Sequence, residues 1–148
     1  MGYIEAGKKQ GAKCLSGGER FGSKGYFIKP TVFADVEDEM TIATEEIFGP
    51  VLTLVRARDL DHALEIMNSS KKGNAASIFT TSGGAMRKFR HDAQAGMIGV
   101  NIGVAAPMSF FPFTGWKESF FGDLHAHGRD GIEFYTEKKV VITRWPDA

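Results

Sequence analysis

The chain has 148 residues, 43% of them hydrophobic and 24% charged, with Lys+Arg and Asp+Glu both totalling 18. This is the composition of one globular domain or of a substantial piece of a larger one, with no apolar run near the roughly 18 residues that cross a bilayer. The balanced charge supplies no field to gather nucleic acid or an anionic membrane, and the single Cys14 leaves no disulfide framework and no Cys-Cys metal knuckle, so no metal site is expected.

Tyr3 to Lys13 reads as a helix stopping near Gly11, followed by a short strand at Lys13-Cys14-Leu15 and a Gly17-Gly18 turn. No basic region or apolar run precedes it, so nothing directs export, and a reducing, cytoplasmic compartment is expected. Residues 25–33 are rich in aromatic and β-branched types but carry Pro30, which points to an edge segment or an extended crossing and not to a central strand. Val51-Leu52-Thr53-Leu54-Val55 reads as a buried strand. Leu60, Ala63, Leu64 and Met67 then recur at helical spacing, with Asp59 or Asp61 available as a cap. A second strand follows at 75–80, then a helix opened by Ser82 with a stripe of Met86, Phe89 and Ala93, then a third strand over 96–101. Strands alternating with helices of about ten residues imply an α/β fold with a three-layer parallel sheet, whose functional loops lie at strand C-termini such as Asn101.

Two stretches carry chemistry. Thr44-Glu45-Glu46-Ile47-Phe48-Gly49-Pro50 sets two carboxylates and an aromatic ring before a rigid Gly-Pro turn. An ionised carboxylate can accept two hydrogen bonds from a vicinal diol, and an apolar ring can hold a flexible ligand in place. On the glutamates alone, a solvated pair at a helix end is the simpler account. The second stretch joins Val100-Asn101 to Pro112-Phe113-Thr114-Gly115-Trp116-Lys117-Glu118-Ser119. Taken together, the two resemble the NAD(P)-dependent aldehyde dehydrogenases, and the resemblance runs from about residue 2 to 146. The wording from Gly103 to Phe113, followed by Ser119-Phe120-Phe121-Gly122-Asp123-Leu124-His125, resembles more narrowly the CoA-acylating branch, the methylmalonate-semialdehyde dehydrogenases.

The resemblance implies that Glu46 hydrogen-bonds the ribose on the nicotinamide side of NAD, that Phe48 packs near that ribose, and that Phe113 lines the substrate pocket. It departs from the family signature at Thr114, which stands where a glycine is usual. It also implies a cysteine nucleophile, a small-molecule aldehyde substrate, coenzyme A as acyl acceptor, and a homo-oligomer, dimer or tetramer. Cys14 does not match the nucleophile's motif, so no catalytic residue is expected in this chain. The division implied is 1–136 as the C-terminal part of the catalytic domain and 137–148 as an oligomerisation strand and tail. Within it the helix carrying Ile132 and Tyr135 packs, and residues 139–145 pair with a neighbouring subunit. Two alternatives stay open: a non-acylating aldehyde dehydrogenase, and a non-catalytic oligomerisation module from a truncated gene. His125-Ala126-His127 is best explained as solvated or capping, and His91-Asp92 as helix surface.

Overall fold

Residues 1–146 are described by the computed structural model; the last two residues of the expected tail, 147–148, lie outside the described residues. The chain divides into two compact units, Met1–Ser70 and Lys71–Ala148.

The first unit contains α1 (Gly2–Lys9), β1 (Lys13–Ser16), β2 (Thr31–Ala34), α2 (Thr41–Thr44), β3 (Val51–Thr53) and α3 (Leu60–Ser69). Glu5 sits in the first turn of α1 and Lys8 and Lys9 in its last, each opposite in sign to the nearby helix end. The chain leaves the helix through Gly11 in the left-handed region. The strands form one sheet in the order β1-β2-β3, antiparallel between β1 and β2 and parallel between β2 and β3. The expectation for residues 25–33 therefore needs correction, since β2 is the central strand. Pro30 stands just outside it, where no ladder N–H is required of it, and the next amide, Thr31 N, donates to Pro50 O at 2.8 Å. Beneath this sheet Ile4, Ala12, Phe33, Val36, Met40 and Ile42 form the core, with Phe33 fully enclosed. Burying that ring is worth about 3 kcal/mol. Val51 to Val55 is also corrected: β3 is an edge strand, with Leu52 and Leu54 exposed. Asp59 caps α3, its Oδ1 accepting from His62 N at 2.8 Å.

The second unit contains β4 (Lys72–Gly73), β5 (Ala75–Ile78), α4 (Gly83–Asp92), β6 (Met97–Val100), β7 (Trp116–Lys117) and α5 (Gly128–Phe134). Ser82 Oγ caps α4 by accepting from Ala85 N at 3.2 Å, and Phe89 and Ala93 turn its apolar face inward. β5, α4 and β6 make a parallel crossover, with Ala75 beside Met97 and Ile78 beside Val100. β4 pairs antiparallel with β7. The α/β class is thus present, with parallel pairs β2/β3 and β5/β6. The three strands expected at 51–55, 75–80 and 96–101 are divided between two sheets, β1-β2-β3 and β5-β6. No helix among the described residues is long and apolar enough to cross a membrane.

Beyond β6 the apolar residues are mostly open to solvent. α5 buries no residue: Ile132 is 68% exposed and Tyr135 is exposed as well, so the packing expected of this face is not made among the described residues. Val140, Val141, Ile142 and Trp145 are exposed, and 137–146 carry no strand. A β-prone segment needs a partner for its backbone groups, and the single chain offers none here.

Candidate cofactor and substrate sites

The ribbon after α2 is held by what lies on either side of it. Gln10, just past α1, receives Thr41 N at 3.0 Å through its Oε1 and donates from Nε2 to Thr41 Oγ1 at 3.1 Å. These bonds satisfy an orphan amide at the start of α2 that Met40, its cap residue, cannot serve with a side chain. The next residue, Ile42, enters the core against Gly7, where an added Cβ would meet Ile42 Cδ1 at 2.8 Å. The small residue is what lets α1 and α2 approach. At the far end of α2, Tyr3 donates its hydroxyl to Glu45 Oε2 at 2.9 Å. That bond favours the neutral phenol and raises the Tyr3 pKa above its usual value, with the charge of Glu45 adding to the effect.

Glu45 leaves α2 in an extended conformation, and Ile47 packs against the core while Glu46 and Phe48 on either side of it face solvent. The two candidate cofactor residues are therefore displayed together, anchored by the residue between them. Among the described residues Glu46 has no hydrogen-bond or ion-pair partner, unlike its neighbour Glu45. Phe48 is 94% exposed and has φ of 49°, in the left-handed region that phenylalanine rarely adopts. Two local preferences are violated at one residue, which is the pattern of a site built for something outside the chain. The Gly49-Pro50 turn closes the ribbon, with Val51 N on Gly49 O at 2.8 Å.

Phe113 lies in the second unit. Its amide donates to Ala126 O at 2.7 Å, in an isolated antiparallel bridge. Its ring is 37% exposed and meets His127 edge-on, with centroids 6.1 Å apart at 73°. An open cleft of about 440 Å³ is lined by residues of β6 and the following loop together with Pro112 and Thr114. Phe113 itself does not line it. The Thr114 hydroxyl donates to Gly96 O, so the residue that departs from the family signature ties its loop to the start of β6. Asn101 is also engaged by the fold: its Oδ1 accepts from Thr80 N at 2.8 Å and its Nδ2 donates to Thr80 O at 3.1 Å. Phe110 and Phe111 pack on each other, centroids 4.8 Å apart, and both remain exposed.

Cys14 lies on β1 opposite Phe33, and its thiol donates weakly to Ser16 O at 3.4 Å. His125 pairs with Asp130 at 3.3 Å and stacks on Phe120, while His127 is the cap residue of α5. His91 and Asp92 are paired on the surface of α4, where Lys88 holds the same carboxylate and both bonds lower its pKa. No group of three His, Cys, Asp or Glu among the described residues could hold a metal ion. The contacts Tyr3–Glu45 and Phe113–His127 leave no periodic trace in the sequence.

Residues 1–141 match the profile of the aldehyde dehydrogenase family. The chain is 53% identical over 145 residues to malonate-semialdehyde dehydrogenase of Halalkalibacterium halodurans, and 57% identical over 146 residues to malonate-semialdehyde dehydrogenase 3 of Geobacillus kaustophilus. Each match covers 97% of this chain and 30% of the relative, so the chain spans about 30% of the length of these curated relatives. Among solved structures it resembles methylmalonate-semialdehyde dehydrogenase from Oceanimonas doudoroffii, with a TM-score of 0.94 and 42% identity over 99% of this chain and 31% of that one. The NAD+ complex of an aldehyde dehydrogenase from Bacillus cereus gives a TM-score of 0.85 and 40% identity, covering 92% of this chain and 27% of that one.

Proposed function

This chain belongs to the aldehyde dehydrogenase family, and from that membership we propose that it is the C-terminal part of the catalytic domain of an NAD-dependent dehydrogenase that converts malonate or methylmalonate semialdehyde to an acyl-CoA. The names of its relatives support the substrate class. One observation carries the cofactor assignment: the exposed Glu46, without a partner among the described residues, is displayed on the same ribbon as the exposed, left-handed Phe48. These residues fit a sugar diol lying against an aromatic ring. NAD, when bound, supplies the hydride acceptor.

In this reading Glu46 accepts hydrogen bonds from the two ribose hydroxyls and fixes the nicotinamide's orientation. Phe48 covers one side of the ribose and excludes water from it. Phe113 contributes an apolar wall to the aldehyde site. The attacking thiolate and the cations for a substrate carboxylate come from the rest of the subunit, since Cys14 is bonded into β1. Alone, this chain therefore turns over no aldehyde. The exposed apolar segment Val140-Val141-Ile142 supplies a strand for assembly into a dimer or tetramer.

Glu46→Gln in the complete subunit tests the assignment. Hydride transfer in single turnovers is expected to fall roughly tenfold, the scale of one weakened charge-assisted hydrogen bond, with little change in NAD affinity because the adenosine half binds elsewhere. An unchanged rate removes Glu46 from the site.

A further inference from the structure

Resting on the reading of Glu46 as the cofactor carboxylate, we infer that Tyr3 is a positioning residue of the cofactor site: its hydroxyl commits Glu45 and, with Gln10 at the other end of α2, fixes the ribbon from which Glu46 and Phe48 are displayed. Two adjacent carboxylates are chemically equivalent ligands for a diol, and something must choose between them. In the fold the two differ in their partners. Glu45 is held by Tyr3 at 2.9 Å across 42 residues of sequence, whereas Glu46 has no partner among the described residues.

The anchor is firm. Tyr3 is half-buried and packs against the core cluster, so its hydroxyl is carried on a ring that cannot easily move. Between its two polar ties, α1 also receives Ile42 against Gly7, giving three contacts along the length of a four-residue helix too short to hold its own shape. That bond favours the neutral, donating phenol and so raises the Tyr3 pKa, with the charge of Glu45 adding to the effect. The bond is therefore present below the ordinary tyrosine pKa and is lost as pH rises through the raised one, where two anions would face each other.

Tyr3→Phe keeps the ring and removes only the bond. In the complete subunit, the expected result is a hydride-transfer rate lower by roughly three- to tenfold, the effect one net hydrogen bond can exert, with a KM for NAD that moves less than about twofold. Glu45→Ala should lose a similar factor, and the double variant no more than either single one, because both remove the same tie. In this chain itself, the amides of Glu46 and Phe48 should shift and exchange faster in Tyr3→Phe while the denaturation midpoint stays close to the parent's. A parental rate, additive losses, or a rate loss matched by a proportional loss of stability each overturn the inference. If Glu46→Gln leaves the rate unchanged, it is the cofactor reading that has failed; the amide measurement still decides whether Tyr3 orders the ribbon, and unperturbed amides overturn it.

Discussion

The ribbon at 44–50 and the segment 98–146 are built on opposite terms. Beneath the ribbon lies a core of Ile4, Phe33, Val36, Met40 and Ile42, and α1 grips α2 through Tyr3, Gly7 and Gln10. Past Met97 the described residues bury no hydrophobic side chain below the surface, and Phe110, Phe111, Phe121, Ile132 and Val140 to Ile142 are all exposed. The first region can hold a ligand-binding geometry by itself. The second presents apolar surface that gains free energy only when something else covers it. The contact proposed for Glu46 and Phe48 is thus preformed in the chain, while the wall proposed for Phe113 depends on its surroundings.

The largest expected effect falls on the difference in burial. Ile42→Ala, which empties a core position only 3% exposed, should cost about 2–5 kcal/mol of stability in chemical denaturation. Ile132→Ala on the exposed face of α5 should cost no more than about 0.5 kcal/mol in the same chain. Comparable costs would mean that α5 packs in solution and that the contrast between the regions is wrong. A smaller effect sharpens the role of the open surface. On the proposed assembly role of the tail, Val141→Asp should leave the monomer's stability unchanged and weaken self-association, measured by sedimentation, because it sets a charge in the exposed apolar segment proposed to pair with a neighbour. Unchanged association would remove the tail from the interface.

The parts of this arrangement that were legible in the sequence are the locally determined ones. Asp59 and Ser82 announced their helices because a cap bonds an amide three residues away, and Phe89 and Ala93 announced a buried face because helical period is a property of neighbours. Residues 25–33 point away from a central strand only if Pro30 belongs to the strand, and it stands one residue outside β2. Leu52 and Leu54 are exposed although their run is apolar, because such a run signals that a surface will be covered but not by which chain. Glu46 and Phe48 were visible only as motif members. The tie that separates Glu45 from Glu46 spans 42 residues, and the left-handed backbone at Phe48 belongs to a residue type that gives no warning of it.

The account stands most directly on which carboxylate meets the ribose. A crystal structure of the complete subunit with NAD should place the Glu46 oxygens about 2.7–3.2 Å from both hydroxyls of the nicotinamide-side ribose, with Glu45 still on Tyr3. Finding Glu45 on the diol, or neither glutamate within hydrogen-bond reach of it, would contradict the account.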